Sequence, residues 1–413
     1  MNRAAVTVSI FACVIAAIAP AAPTTQSLAP PPAPDRVDAD LVEARSRPAG
    51  LLPYGPVSLL DPLWKQLDTK TQQIGLNIGF AYTALYQAAS GGPGERDAAA
   101  GDVDVFGDWR FIGAANDPNR GFLYFAAENR HELFTPIAPA DLRGEIGSLW
   151  KTTDGFNQQV LTLREIYWQQ HIAGDRLILR AGKLDAKNYY SNNYWQSDNK
   201  YFLNEAFSFF PVRASPFNGL GLNLTSKLND EWYVSTGFQD AQGRKTTGGF
   251  DTFFGDFNLF GAAELGFTPT IEQLGKGTYR LTAWYRDAGE TTGTPHDSGL
   301  DLSLDQRVGE NLVPFFRYGW AEGNVNNIEQ MIDLGVGWEG KLLTKSDVVA
   351  IAGSWGRPAD GDLRDQYASE VFYRLQVSPD NQLTLGYQVI VNSTFDTKND
   401  VVGVFECRWR VSF

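Results

Sequence analysis

The end of the chain alternates strictly between apolar and polar side chains. From Phe405 to the terminal Phe413, every odd-numbered residue is apolar and every even-numbered residue is polar or charged. Successive side chains of a β-strand point to opposite faces, so this pattern predicts a strand with one apolar and one charged face. About ten residues of such alternation are typical of a strand that crosses a membrane as part of a barrel.

The same period-two pattern recurs along most of the chain. Between Ile74 and Thr83, the even-numbered residues are large and apolar and the odd-numbered ones are small or polar. Sixteen segments show the pattern, and an even number is what a bacterial barrel with both chain ends on one side requires. The predicted strands are 72–87, 102–113, 120–133, 158–171, 175–184, 217–228, 231–240, 259–268, 278–287, 298–308, 311–321, 330–340, 346–356, 367–378, 381–392 and 400–413.

The connections between these segments alternate in length. Short ones, such as Asn229-Asp230 and Gly309-Glu310, follow longer ones in turn. Outer-membrane barrels have short periplasmic turns and longer extracellular loops, and this asymmetry produces the alternation. A sandwich of two packed sheets does not require such an alternation. The predicted long loops are 88–101, 134–157, 185–216, 241–258, 288–297, 322–329, 357–366 and 393–399.

These patterns together predict an all-β fold. It is a transmembrane antiparallel up-and-down β-barrel of about 16 strands over residues 72–413, with a short N-terminal periplasmic segment. A closed barrel satisfies every backbone donor and acceptor within lipid and leaves no edge strand. After the N-terminal region no run of roughly 18 apolar residues occurs, so transmembrane helices are not expected.

The N-terminus has the pattern of an export signal. A positive charge at Arg3 precedes an apolar stretch at 6–19, and Ala19-Pro20-Ala21 offers a cleavage site. We therefore predict a signal peptide at 1–21. Removal of Cys13 with it would leave Cys407 as the single cysteine, so no internal disulfide is expected.

Two further segments precede the predicted barrel. Residues 22–50 are rich in Pro and Ala without apolar periodicity, which predicts a linker. Residues 51–71 form an N-terminal segment with a short helix expected between Leu59 and Leu67. Asp61 would cap this helix and Pro62 would lie in its first turn.

Composition and motifs exclude several functional classes. The chain carries 48 acidic and 35 basic residues, a net charge of −13, and lacks the dense basic patch that binding to nucleic acid needs. His131, His171 and His296 have no second His or Cys at a metal-ligand spacing, and no nucleophile or phosphate-loop motif is present. We therefore expect no enzyme activity, no metal and no cofactor.

A protein that is exported and forms a transmembrane barrel is expected in the bacterial outer membrane. Its surroundings would be outer-membrane lipid and lipopolysaccharide. The strand that ends at Phe413 is similar to the signal that the barrel assembly machinery recognises, so that machinery is an expected partner. The sequence leaves the oligomeric state open.

Four short stretches resemble the OprB-type carbohydrate-selective porins. They are LREIYWQQ at 163–170, GDRLILRAGKLD at 174–185, YFLNEAF at 201–207 and LNIGFAYT at 76–83. The likeness extends over about residues 59–413, and the Pro/Ala-rich stretch 22–50 is not a part of it. It implies a sixteen-stranded barrel that passes mono- and small oligosaccharides into the periplasm by diffusion.

The chemistry of a sugar suggests which residues would contact it. A sugar has hydroxyls around its edge and apolar C–H faces, so a selective pore should combine aromatic rings with charged groups that each bind weakly. Adjacent Arg164 and Glu165 cannot both face inward in a regular strand, so Arg164 is assigned to the lumen, and a bulge would add Glu165. The candidate pore-lining and substrate-contacting residues are Asp108, Arg110, Glu128, Arg130, Arg164, Trp168, Arg180, Lys183, Asp185, Tyr194 and Trp195.

Other readings of the same residues remain open. The charged side chains could form ion pairs that brace a wide lumen, and the rings of loop 185–216 could simply pack it against the wall, above all Phe207, Phe209 and Phe210. For the whole chain, the alternatives are a nonspecific or ion-selective porin and an accessory barrel for polysaccharide export. In the last case residues 22–67 would dock a periplasmic partner.

Overall fold

The computed structural model describes residues 36–55, 57–289 and 292–413. Over these residues the chain forms a closed antiparallel barrel of sixteen long strands. Each strand pairs with its neighbour in sequence, and the first pairs with the last, with Ala81 opposite Ser412. The predicted fold class is confirmed.

The sixteen strands lie close to the predicted segments. A two-residue strand, Thr270–Ile271, pairs with Gly275 and Lys276 at the start of one of the long strands. The barrel strands are β1 Leu76–Ala89, β2 Asp97–Ile112, β3 Arg120–Glu132, β4 Gln159–Ile172, β5 Leu177–Leu184, β6 Gly219–Lys227, β7 Trp232–Asp240, β8 Leu259–Phe267, β9 Gly275–Arg286, β10 Asp297–Gln306, β11 Leu312–Ala321, β12 Ile328–Gly340, β13 Asp347–Pro358, β14 Gln366–Ser378, β15 Asn381–Val391 and β16 Val401–Ser412.

Helices occur in the N-terminal segment and the long loops. None of the helices in the described ranges is long and apolar enough to span a membrane. They are α1 Val37–Arg45, α2 Asp61–Gln73, α3 Leu142–Glu145, α4 Glu205–Ser208 and α5 Phe250–Gly255, with single 3-10 turns at Ser58–Leu60, Pro139–Asp141 and Ala186–Asn188.

The two faces of the wall differ as the alternation predicts. Thr83 and Gln87 point inward and are fully buried, whereas Phe405 and Trp409 on the outer face remain 43% and 37% exposed. The terminal residue completes the closure, because Phe413 and Phe80 exchange backbone hydrogen bonds of 2.9 and 2.8 Å. The apolar outer face therefore continues without a gap across the seam between β16 and β1.

The N-terminal segment departs from expectation in two places. Helix α1 lies inside the stretch 22–50 that composition predicts as a linker, so that prediction does not hold for residues 37–45. In α2 Asp61 does not cap the helix, because the cap position falls on Leu60 and the Asp61 carboxylate pairs with Arg47 at 3.4 Å. The predicted signal peptide at 1–21 lies outside the described residues.

Candidate functional site

The long connection between β5 and β6, residues 185–218, folds into the barrel and is called the inner loop below. Its aromatic side chains account for this path. Phe202, Phe207 and Phe210 are fully buried, and the ring of Phe202 meets Phe372 on the inner wall of β14 edge-on at 5.0 Å. Burial of so much aromatic surface draws the loop from water onto the wall.

Glycines on the wall leave room for these rings. A Cβ atom at Gly337 would lie 2.2 Å from the Trp195 ring, and one at Gly319 would lie 2.7 Å from the Phe210 ring. Trp195 is fully buried, and its indole N–H donates to the Val313 carbonyl at 2.8 Å. Trp195 therefore holds the inner loop in place, and the expectation that it contacts solute does not hold.

Among the described residues, one cavity lies on each side of the inner loop. The loop-side cavity, at the end of the long loops, has a volume of about 480 Å³ and is lined in part by Arg130, Arg164 and Asp185. The turn-side cavity, at the end of the short turns, has a volume of about 710 Å³ and is lined in part by Tyr194 and Arg374. A solute that crosses the barrel must pass the inner loop between them.

A cluster of opposite charges lies beside the loop-side cavity. Glu128 on β3 is fully buried, and its carboxylate lies 3.3 Å from Arg130, 3.5 Å from Arg164 and 3.6 Å from Lys245. Arg130 also pairs with Asp102 at 3.3 Å. Carboxylate and guanidinium groups thus occur together at one wall of the cavity, as the inward positions of β2, β3 and β4 predict.

Three carboxylates on the inner wall of β2 and β3 approach one another closely. Oxygen atoms of Asp102, Asp104 and Glu128 lie within 4.8 Å of one another, close enough to share an ion. However, Arg130 and Arg164 already face the group and offset its charge. We therefore treat these acids as part of the mixed-charge cluster.

Loop residues complete the charge pattern of this cavity. Lys187 lies 2.9 Å from Asp154, and its ammonium group sits 3.9 Å from the centre of the Phe209 ring. Lys151 pairs with Asp154 at 3.4 Å and with Glu205 at 3.1 Å. Burial opposes ionisation of Asp154, but Lys187 and Lys151 outweigh it and hold the pKa of its carboxyl well below its usual range.

Strand β4 carries a bulge that decides which of its side chains face inward. Ala126 and Ala127 of β3 face Glu165 and Leu163, so Arg164 has no direct partner. Both Arg164 and Glu165 consequently point inward, as a bulge permits. Beyond the bulge Trp168 turns outward and its ring lies 6.2 Å from that of the exposed Phe111, so the prediction that Trp168 faces the lumen is wrong.

Two predicted residues of β5 brace the structure and line neither cavity. Arg180 is buried and donates to Gln169 at 2.6 Å and to Asn223 at 2.8 Å. Lys183 lies opposite the outward-facing Ile166 at the rim, and its ammonium group donates to the carbonyls of Leu163, Lys245 and Thr247 at 2.6–2.9 Å. Lys183 therefore fastens the loop 241–258 to the barrel.

The remaining predicted residues lie in separate places. Asp185 lines the loop-side cavity and accepts a hydrogen bond from the Lys187 backbone at 3.1 Å. Asp108 accepts a hydrogen bond from the Asn77 amide at 2.8 Å. Neither Asp108 nor Arg110, the next inward-facing residue of β2, lines either cavity. Tyr194 lines the turn-side cavity, where its hydroxyl donates to Glu339 at 2.8 Å.

Sequence reasoning missed the charged residues that the loops contribute. Loop residues have no periodicity that tells which way a side chain points, so the positions of Lys151, Asp154, Lys187 and Lys245 could not be read from pattern. It also missed α1, although an inward-facing Phe106 on β2 is a signal. An aromatic side chain on the inner wall indicates that a further element covers it.

The class of protein follows from this arrangement. A closed sixteen-strand barrel with an apolar outer face, an inward-folded loop and charged cavities on both sides of it is an outer-membrane channel of the porin type.

The family is shown by comparison with known proteins. The sequence profile of the carbohydrate-selective porins, OprB family, matches residues 138–413, more than half of the chain, so the chain belongs to the OprB family. The predicted family is thereby confirmed. Fold and family are those of a channel of the bacterial outer membrane and not of an enzyme. No curated protein sequence is significantly similar to the chain.

Solved structures show the same fold. The high-pH structure of Pseudomonas putida OprB has a TM-score of 0.68 at 14% identity, covering 85% of this chain and 97% of that chain. The low-pH structure of the same protein has a TM-score of 0.55 at 12% identity, covering 85% and 96%. At these identities the likeness concerns the fold alone.

Proposed function

We propose that the chain is a porin through which mono- and small oligosaccharides diffuse passively into the periplasm. The observation that carries this proposal is the mixed-charge cluster of Glu128, Arg130 and Arg164 beside the loop-side cavity. Charged donors and acceptors side by side suit a solute whose hydroxyls both donate and accept hydrogen bonds.

The cluster has hydrogen-bonding capacity that protein groups do not use. Among the described residues, Asp102 Oδ1 and Arg164 Nε are buried without a hydrogen-bond partner. Buried polar atoms of this kind are costly unless water or a solute satisfies them. A sugar passing the cavity would meet the guanidinium groups of Arg130 and Arg164 and the carboxylate of Asp154, which line it, and leave again because no single contact is strong.

A cation-selective pore fits this arrangement less well. Strong cation selectivity needs an excess of inward carboxylates, whereas here Arg130, Arg164 and Lys245 surround Glu128. An accessory role in polysaccharide export would use residues 22–67 to dock a periplasmic partner, but α1 of that segment lies against the inside of the barrel. Neither alternative is favoured.

The surroundings of the barrel follow from the same proposal. Outer-membrane lipid and lipopolysaccharide would contact the apolar outer face. The barrel assembly machinery would recognise the last strand through Phe413, whose ring also packs on Trp64 at 5.0 Å and Phe80 at 5.2 Å. A chain with Phe413→Ala should reach the outer membrane in smaller amounts, as measured by membrane fractionation.

Liposome swelling across a series of sugars tests the proposed solute contacts. Arg130→Ala and Arg164→Ala each remove charged donors at the cavity, and a lost hydrogen bond of about 1 kcal/mol changes relative uptake rates roughly fivefold. Trp168→Ala is the matched control on the same barrel wall, because its side chain faces outward. We expect the two arginine variants to change the order or ratio of sugar rates and the control to match the parent.

The outcomes separate the site from the fold. If both arginine variants retain the parent's rates for every sugar, the chosen contacts are wrong while the barrel stands. If the parent itself passes sugars and unrelated solutes of equal size at equal rates, sugar selectivity is refuted.

A further inference from the structure

We propose that α1 is a size filter built into the lumen, which narrows the turn-side half of the pore and sets the largest sugar that passes. The proposal deepens the function proposed above and rests on it for the identity of the solute, but the narrowing itself concerns any solute. Helix α1 lies outside residues 138–413, which the family profile matches.

One face of α1 packs on an apolar patch of the inner wall. Val37, Leu41 and Ala44 follow at the four- and three-residue spacing of one helix face, and all are at most 4% exposed. The helix contacts β1, β2 and β3, where Phe106 and Tyr124 belong to the same buried cluster. An apolar patch inside a barrel is costly in water, and α1 covers it.

A neighbouring side of α1 is held by charges from two other elements. The Glu43 carboxylate accepts from Arg410 of β16 through both oxygens, at 3.2 and 2.8 Å, and lies 3.4 Å from Lys200 of the inner loop. Lys200 also pairs with Asp40 at 2.5 Å. The helix thus links the wall to the inner loop across the lumen.

The charges of these groups favour the position of α1 inside the lumen. Burial opposes ionisation of Glu43, but Arg410 and Lys200 outweigh it and hold the pKa of Glu43 well below its usual range. Burial likewise acts against the charge of Lys200, yet Asp40 and Glu43 raise its pKa. Glu43 and Lys200 are therefore charged at neutral pH. The bidentate guanidinium–carboxylate pair of Arg410 and Glu43 is of a kind that is among the strongest side-chain contacts.

A third face of α1 borders the solute pathway. Ala39, Val42 and Ser46 line the turn-side cavity, and Val42 is 69% exposed. An α-helix with its side chains is about 10–12 Å across, so a helix in the lumen takes up a large part of the cross-section. The space left beside it, about 710 Å³, is what a solute leaving the inner loop meets.

Planar-bilayer conductance and liposome swelling with a ladder of glucose oligomers test the filter. A chain that lacks residues 36–45, and a full-length chain with Asp40→Asn and Glu43→Gln, should each raise the conductance roughly twofold or more and admit longer oligomers. Val42→Trp should do the opposite, since it adds a ring to the cavity side of the helix. Asp360→Asn with Asp362→Asn, both in the exposed loop between β13 and β14, is the control for loss of two negative charges.

The readouts distinguish this proposal from the proposed function. Folding of each variant is checked by its heat-modifiable mobility in gels, and if the deletion does not fold, the two full-length variants decide. The filter is refuted if the loosened and the narrowed variant both keep the parent's conductance and size limit. A change of size limit with no preference among sugars of one size would support the filter and refute sugar selectivity.

Discussion

Arg317→Met provides the sharpest test of how the inner loop is held. Arg317 on β11 is fully buried and pairs with the equally buried Asp333 of β12 at 2.9 Å. The same guanidinium donates to the carbonyl of Phe209 at 2.6 Å and to that of Ala206, both in the inner loop. One side chain thus stabilises a buried carboxylate and anchors the loop.

The size of the effect follows from these contacts. Removing one partner of a buried ion pair costs about 3–5 kcal/mol, because the other charge is left without compensation. Adding Asp333→Asn removes that charge and keeps an acceptor for the Ser354 hydroxyl, which lies at 2.6 Å. The double variant is expected to recover roughly half of the loss, since the bonds to the loop carbonyls stay broken.

Two assays separate the two roles. Urea unfolding in lipid vesicles measures the free energy of unfolding, and single-channel recording measures fluctuation of the inner loop. We expect noisier currents from both the single and the double variant. Arg357→Met, which removes an exposed pair with Asp365 at 4.0 Å, is the control and should change the unfolding free energy by less than about 1 kcal/mol. The reasoning is refuted if Arg317→Met is no more destabilising than this control, or if the double variant is as unstable as the single one.

Two other predictions concern the loop 241–258 and the response to acid. Lys183→Met removes the donor to three carbonyls, so trypsin should cut at Arg244 or Lys245 at least about tenfold faster, seen as loss of the intact band, and an unchanged rate would contradict the clamp. The lowered pKa of Glu43 means that its hold on α1 is complete above the ordinary carboxyl value of about 4.3 and is lost only as the pH falls through the lowered value. The charged groups that face Glu43 are Arg410, Lys200 and Arg374. Conductance should therefore stay constant from about pH 7 to pH 5, and an increase in conductance within that range would contradict the assignment.

Alternation was sufficient to predict the barrel because lipid imposes it. A strand with one face in the bilayer must place apolar residues at every second position, so Phe405 to Phe413 shows both the strand and its register. The same rule failed at Trp168, where the bulge at Arg164 shifts the phase by one residue. One extra residue in β4 therefore places the side chain of Trp168 on the outer face of the barrel, where the inner face was predicted.

The interior was less predictable, since its contacts join residues far apart in the chain. Glu128 meets Lys245, and Glu43 meets Arg410, across distances in sequence that no local pattern spans. The aromatic density of the inner loop is evident from the sequence, but the structure was needed to show that Trp195 packs into the wall, against Gly337. The alternation thus predicts the face of the barrel on which a strand residue lies. The contacts that its side chain makes depend on how the barrel closes.

The most direct test of sugar passage is the ion current through reconstituted channels as glucose is added. A pore whose loop-side cavity binds sugar weakly should show a current that falls in a saturable way with glucose and recovers on washing. A mannitol solution of equal viscosity, applied to the same channels, corrects for slower ion movement. Large currents that glucose and mannitol reduce equally would contradict the account.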